Sequence, residues 1–188
     1  VSYQTAWLKY YYPVEFMAAL MTSVIDNPGK VSEYIYSCRQ MGIKILPPDI
    51  NKGEGSFSVD GGNIRYGLAA IKSIGKPVIE SIIQERKNGG EFSNLKDFIE
   101  RLSGKEVNKR TIESFIKSGA FDSLGGTRKQ FMVVYVQILD QVNRERKYSM
   151  TGQLSLFDIV SDDRKSEFDI PLPDVGEYEK ETKLAFEK

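Results

Sequence analysis

The sequence predicts a mainly helical fold, interrupted by one small β-hairpin and closed by a flexible tail. Three observations lead there. Apolar residues recur at helical spacing from Thr5 to Met41 and again through the stretch ending at Lys147. Alternating apolar residues flank Asp60-Gly61-Gly62. Periodicity vanishes after Ser149, where a stretch rich in Asp and Pro, 161–176, reads as a mobile connection.

Taken in order, Trp7, Leu8, Tyr11 and Tyr12 lie at helical spacing before Pro13, and Phe16, Met17, Leu20 and Met21 after it. Pro13 suits the first position of a helix, where its missing N–H goes unnoticed. A further helix runs from Gly29 to Met41, with Val31, Tyr34, Ile35 and Cys38 on one face, and Gly42 ends it. Ile43, Ile45 and Leu46 make a short extended run that stops at Pro47-Pro48. Phe57, Val59, Ile64 and Tyr66 form the hairpin. Two short helical pairs follow. The first is Gly67–Ile71, a turn at Lys72–Lys76, and Pro77–Asn88; the second is Leu95–Leu102, a turn at Ser103–Asn108, and Lys109–Ser118. A long amphipathic helix from Thr127 to Lys147 carries Phe131, Val134, Ile138, Leu139 and Val142 on its apolar side.

The 188 residues hold no His and a single Cys38. A zinc site, a His-based acid/base centre and a Cys–His nucleophile are therefore excluded by inventory, and no internal disulfide can form. Cys38 reads as a small buried apolar residue, and the absence of disulfides fits a reducing cytoplasm. No window approaches the run of roughly 20 apolar residues that a membrane span needs. The chain opens on Val1, which predicts a piece of something longer. Net charge is zero, but it is unevenly placed: net +6 over residues 62–147 and net −5 over 148–188. A basic middle favours a polyanion, and an acidic tail reads as a solvated linker.

The run from Gly67 to Ile83 resembles a helix-hairpin-helix motif, in which an apolar–x–Gly–apolar–Gly turn joins two helices. A glycine lets the backbone approach a phosphate, and the start of the second helix presents unpaired N–H groups and a positive dipole end. Lys72 and Lys76 flank the turn, Ile71 and Ile74 pin it to its core, and Gly75 is the second glycine. Ser73 stands where the first glycine is expected; its hydroxyl can itself donate to a phosphate. The second pair lacks the glycines but places Asn108, Lys109 and Arg110 at a helix start, where cations oppose the macrodipole unless an anion is bound. Two such hairpins side by side imply phosphate contacts without base readout.

Several stretches together resemble the alpha subunit of bacterial DNA polymerase III. Tyr3-Gln4-Thr5-Ala6-Trp7-Leu8-Lys9, then Tyr12-Pro13-Val14-Glu15-Phe16-Met17-Ala18-Ala19-Leu20, and Gly42 through Asn51 are similar to the family's fingers region. Ile64 through Lys72 is similar to the entry into its tandem helix-hairpin-helix module, and Asn108-Lys109-Arg110 through Ser118-Gly119-Ala120-Phe121-Asp122 to the exit. The resemblance implies the end of the fingers over 1–61, the duplex-binding module over 62–125, a connecting helix over 126–150, a sliding-clamp-binding peptide over 151–160, and an acidic linker over 161–188 toward an oligonucleotide-binding domain. The peptide is Gln153-Leu154-Ser155-Leu156-Phe157, whose Leu156 and Phe157 would fill an apolar pocket on the clamp. By the same resemblance the palm aspartates that hold magnesium lie outside this segment. The segment would then need no cofactor and would not polymerise alone, while the whole polymerase would use magnesium and deoxynucleoside triphosphates. The implied partners are primer–template duplex, the beta sliding clamp and the other replicase subunits, in the cytoplasm.

Two rival readings stand beside it. One is a helical module serving only protein–protein contact. The other is a repair enzyme built on the same hairpin, such as a glycosylase, which needs a catalytic Asp or Lys at a base pocket; Asp97 and Asp122 have no aromatic-lined partner group that the sequence reveals.

Overall fold

The computed structural model describes residues 2–102, 104, 107–150 and 170–187. Helix α1 (Ser2–Tyr11) leads into α2 (Pro13–Ser23), with Pro13 at the first turn as the sequence predicts. Helix α3 (Pro28–Gln40) starts one residue earlier than expected, because Asn27 caps it: its side-chain oxygen accepts from the Lys30 amide at 3.1 Å. Gly42, at φ +75°, ends it.

Helices α2 and α3 enclose a first core of Met17, Ala18, Met21, Val31, Cys38, Ile43, Phe57 and Ile64. Cys38 is fully buried there, its Sγ 4.0 Å from the Met21 sulfur, and burial pushes its thiol pKa up. No side chain of α1 is buried, although its aromatic residues share a face. Trp7 packs on Tyr11 and Tyr12 instead, with ring centroids 5.0 and 5.7 Å away. Burial therefore departs from the apolar spacing here: α1 packs on α2, the helix that follows it through Tyr12, and buries none of its own side chains.

The hairpin forms as predicted. Strands β2 (Ser58–Asp60) and β3 (Asn63–Arg65) pair antiparallel through a turn in which Gly61 and Gly62 adopt φ +57° and +79°, values that only glycine takes easily. The extended run becomes β1 (Ile45–Leu46), which pairs parallel with β3 and completes a three-stranded sheet of order β1-β3-β2. Arg65, nearly buried, fixes this sheet: Nε and Nη2 donate to Asp60 at 2.8 and 2.6 Å, and Nη1 to the Pro47 carbonyl at 3.0 Å.

The first arm of the first hairpin is shorter than the sequence suggests. In place of a helix over Gly67–Ile71 there is one 3-10 turn, Leu68–Ala70. The Leu68 and Ala69 amides donate to the Glu54 and Gly55 carbonyls at 2.9 and 3.0 Å, the Ala70 and Ile71 amides bond back three residues to Gly67 and Leu68 at 3.1 and 3.2 Å, and Ile71 is already extended. Gly67 makes this close approach possible: a Cβ there would lie 2.7 to 2.9 Å from backbone atoms of residues 55–57.

Helices α4 (Lys76–Gly89), α5 (Leu95–Leu102), α6 (Lys109–Ser118) and α7 (Arg128–Met150) follow the predicted spans within a few residues. They enclose a second core whose centre is a chain of edge-on phenylalanines. Phe98 meets Phe92 at 5.1 Å, Phe115 at 6.1 Å and Phe121 at 4.9 Å, and Phe121 meets Phe131 at 6.4 Å. Gly119, at φ +81°, ends α6.

Helix α7 begins with a reciprocal cap: Thr127 Oγ1 accepts from the Gln130 amide, and Gln130 Oε1 from the Thr127 amide, at 3.2 and 2.9 Å. Where the sequence reading has only a flexible tail, the described part returns to this point. The Thr127 hydroxyl donates to the Gly176 carbonyl at 2.7 Å, and Gln130 Nε2 to that of Pro173 at 2.9 Å. The chain then forms an unforeseen helix α8 (Lys180–Phe186). Among the described residues, no helix is long and apolar enough to cross a membrane.

Candidate nucleic-acid interface

The first turn places its predicted residues as follows. Lys72 and Ser73 are exposed, and Ile74 is half-buried against the second core. Ser73 is in the left-handed region at φ +69°, the one non-glycine so placed among the described residues. At this position, where the motif's sequence pattern has glycine, the backbone thus adopts a conformation that glycine takes more easily than serine. Gly75 then caps α4 with no side-chain hydrogen bond, and Pro77 sits at the second position. The amides of Gly75, Lys76 and Val78 have no acceptor among the described residues. That leaves a helix start with unpaired donors and the positive end of its dipole beside the exposed Lys76.

The second turn is held differently. Asn108 caps α6: its Oδ1 accepts from the Thr111 amide at 3.0 Å and from the Thr111 hydroxyl at 3.3 Å. The Asn108 carbonyl oxygen is thus committed to the fold, and its amide nitrogen is the part left for a ligand. Lys109 Nζ lies 3.4 Å from Asp140 on α7, and both side chains are about half exposed. Such a surface pair contributes little and yields readily to a stronger anion. Arg110 reaches back to the first turn, where Nη2 donates to Ser73 Oγ at 3.2 Å. The two turns, 37 residues apart in sequence, therefore adjoin in space.

Much of the positive charge counted in the middle of the chain is engaged elsewhere. Arg86 donates to the Ile50 and Gly53 carbonyls and to Glu54. Arg101 donates to the Glu85, Gly90 and Glu91 carbonyls and packs 4.3 Å above the Phe92 ring. Arg128 binds Asp122 and Glu187. Lys117 is paired with Glu113. By contrast, neither Lys76 nor Arg110 has a carboxylate partner among the described residues.

The two aspartates weighed as catalytic candidates are structural acceptors here. Asp97 accepts from the Ser93 amide at 2.9 Å and faces Arg101, while Asp122 accepts from Arg128. The candidate peptide Gln153, Leu154, Ser155, Leu156 and Phe157 lies outside the described residues, as does Ser103 of the second turn.

Comparison with known proteins agrees with this geometry. The helix-hairpin-helix motif family matches residues 42–131. The chain is 41% identical, over 191 aligned residues and all of its length, to the DNA polymerase III subunit alpha of Mycobacterium tuberculosis. It is 45% identical over 87% of its length to that of Escherichia coli, and 44% identical over 86% to that of Vibrio cholerae. It spans only 14 to 16% of the length of these curated relatives. Over its length the chain is thus similar to one segment of the DNA polymerase III alpha subunit, and its residues 42–131 match a helix-hairpin-helix motif.

Proposed function

We propose that this chain is the duplex-binding and clamp-docking segment of a replicative polymerase, gripping DNA by its phosphates without reading sequence. The observation that carries the proposal is the start of α4, where three amides lack acceptors among the described residues, beside Lys76 and the Ser73–Arg110 pair. Gly75 strengthens it. At φ −81° any residue would fit, and a Cβ there would meet only Pro77 Cδ, at an ordinary 3.6 Å. Nothing among the described residues asks for glycine at this position, whereas an anion closing on the helix start does.

The phosphate-facing set is Lys72, Ser73, Ile74, Gly75 and Lys76 from the first turn, with Asn108, Lys109 and Arg110 from the second. Ile74 anchors the turn, and the others supply donors and charge. Clamp docking is assigned to Gln153 through Phe157 on the resemblance of that pentapeptide to the family's clamp-binding peptide. In this reading residues 1–61 close the fingers, 62–125 form the duplex grip, and 126–150 connect it to the peptide at 151–160 and the linker at 161–188. The segment contributes grip and processivity, and nucleotide transfer with magnesium belongs to other parts of the polymerase.

Fluorescence anisotropy of the 188-residue chain with unrelated duplexes, over a series of salt concentrations, tests the grip. Affinity should fall steeply with salt and be the same for every sequence, and Lys72→Ala or Lys76→Ala should each flatten the salt slope by about one unit. A roughly tenfold spread between sequences at fixed salt would overturn non-specific binding. No binding even at low salt would overturn the DNA reading in favour of a protein-contact module.

A further inference from the structure

We infer that Ser73 is a positioning residue: it pre-orders the Arg110 guanidinium over the first turn, so that the two hairpins engage a duplex as one site. The inference rests on the phosphate-binding reading above and deepens it. Two observations meet at Ser73. Its backbone is left-handed at φ +69°, which costs an L-residue free energy that glycine would not incur. Its Oγ is the hydrogen-bond partner of Arg110 Nη2, at 3.2 Å, from the start of the other hairpin's second helix.

The chemistry of the pair suits an anion. A serine hydroxyl has two acceptor lone pairs and one proton, so accepting from Arg110 leaves its O–H free to donate outward. A guanidinium has five N–H donors in a rigid plane, and the contact with Ser73 occupies one of them. Neither residue is neutralised: no carboxylate pairs with Arg110 among the described residues. Arg110 also sits at the positive end of α6, where the helix dipole pushes a cation away. Without a tether the guanidinium would sample many rotamers and would have to be ordered on each encounter with DNA. Ser73 holds it before the phosphate arrives.

The test compares Ser73→Gly, Ser73→Asn, Arg110→Ala and the Ser73→Gly/Arg110→Ala double variant of the 188-residue chain, each by thermal melting and by duplex anisotropy over a salt series. Ser73→Gly should melt no lower than the parent yet bind duplex about two- to tenfold more weakly, the effect of ordering one long side chain on binding. Its salt slope should be unchanged, because the charge of Arg110 remains. Asn tolerates the left-handed region and offers a carbonyl acceptor, so Ser73→Asn should recover much of the affinity. Arg110→Ala should both weaken binding and flatten the slope by about one unit. The double variant should lose less affinity than the two single losses added together, because the part of the Ser73 loss that acts through Arg110 is already gone. Parent-like binding by Ser73→Gly, or losses that add in the double variant, would overturn the inference. If the parent binds no duplex at all, the phosphate reading fails by itself. The positioning claim is then decided by 15N relaxation of the Arg110 Nε–H: a guanidinium ordered in the parent and loosened in Ser73→Gly supports it, and equal mobility overturns it.

Discussion

Arg128 is where the tail is bolted to the helical module, and Arg128→Ala should remove the bolt. The side chain is 7% exposed; Nε donates to both Asp122 oxygens at 3.1 and 3.2 Å, and Nη2 to Oδ2 at 2.9 Å. Nη1 donates to the Lys117 carbonyl at 3.1 Å and to Glu187 at 2.8 Å. Burial alone would favour the neutral form, but the bonds and charges of Asp122 and Glu187 outweigh it and hold the guanidinium more firmly charged than usual. Removing one partner of a buried ion pair costs about 3–5 kcal/mol. Here the two carboxylates are 46% and 44% exposed and recover water when the arginine leaves. The expected loss is therefore smaller, about 2–3 kcal/mol, most of it from the Lys117 carbonyl and the lost packing. For a chain of this size that lowers the melting temperature by about 4–12 °C, measured by calorimetry or circular dichroism. Hydrogen exchange over Lys180–Phe186 should rise with it. A melting temperature within about 1 °C of the parent would refute the reasoning and reduce the network to an exposed pair.

Gly67→Ala should destabilise the chain by about 1–3 kcal/mol, the usual cost of forcing extra atoms into packed backbone, read from urea unfolding; a neutral result would mean the loop at residues 55–57 gives way freely. Glu177 accepts from the amides of Tyr178, Lys129 and Arg128 and faces Lys183, and these hold its carboxyl below the ordinary 4.5 despite the opposing effect of burial. Its folded pKa is depressed, so its contribution is complete above the ordinary value and is lost as pH falls through the lowered one. Glu177→Gln should remove that acid-side decline in stability, and an unchanged profile would show that other carboxylates govern it. Replacing Gln153, Leu156 and Phe157 together with Ala should abolish clamp binding in calorimetry while leaving duplex affinity intact, because burying Leu and Phe in a partner contributes roughly 1.5–3 kcal/mol each; equal heats for parent and variant would sink the docking assignment.

The features legible in the sequence were those specified locally. Pro13 opens α2, Gly42 closes α3, Gly61-Gly62 turns the hairpin, and the apolar spacing of Leu95, Phe98, Ile99 and Leu102 sets α5. What escaped depends on partners far along the chain. The parallel pairing of Ile45 with Ile64 has no local signature. The 3-10 turn at Leu68–Ala70 is tied to the Glu54 and Gly55 carbonyls through the Leu68 and Ala69 amides, acceptors that lie more than ten residues back. The start of α7 was half visible: Thr127-x-x-Gln130 has the spacing of a reciprocal cap, but the second acceptor at that helix start, Glu177, lies about fifty residues on. At the candidate site the residue types were legible, and the contact between Ser73 and Arg110 was not. It needs the two hairpins to be packed side by side, which follows from the phenylalanine core rather than from either turn.

That packing changes what the uneven charge means. A net +6 over residues 62–147 suggests a broad basic surface, yet Arg65, Arg86, Arg101 and Arg128 each end on carbonyls and carboxylates of the fold. The acid of the tail is likewise partly engaged, with Glu177 on the start of α7 and Glu187 on Arg128, so it does not act only as a repulsive brush against DNA. In the proposed grip the cations that a duplex meets are few: Lys72, Lys76, Lys109 and Arg110. If each meets one phosphate, the logarithmic salt slope should be no steeper than about −4, from roughly −0.9 per neutralised phosphate. A slope set by the whole basic count would be several units steeper. Anisotropy titrations spanning a fourfold range of salt distinguish the two, and a slope well beyond the shallower value would show that the grip extends past the two turns, onto cations such as Lys129 and Arg144 along α7.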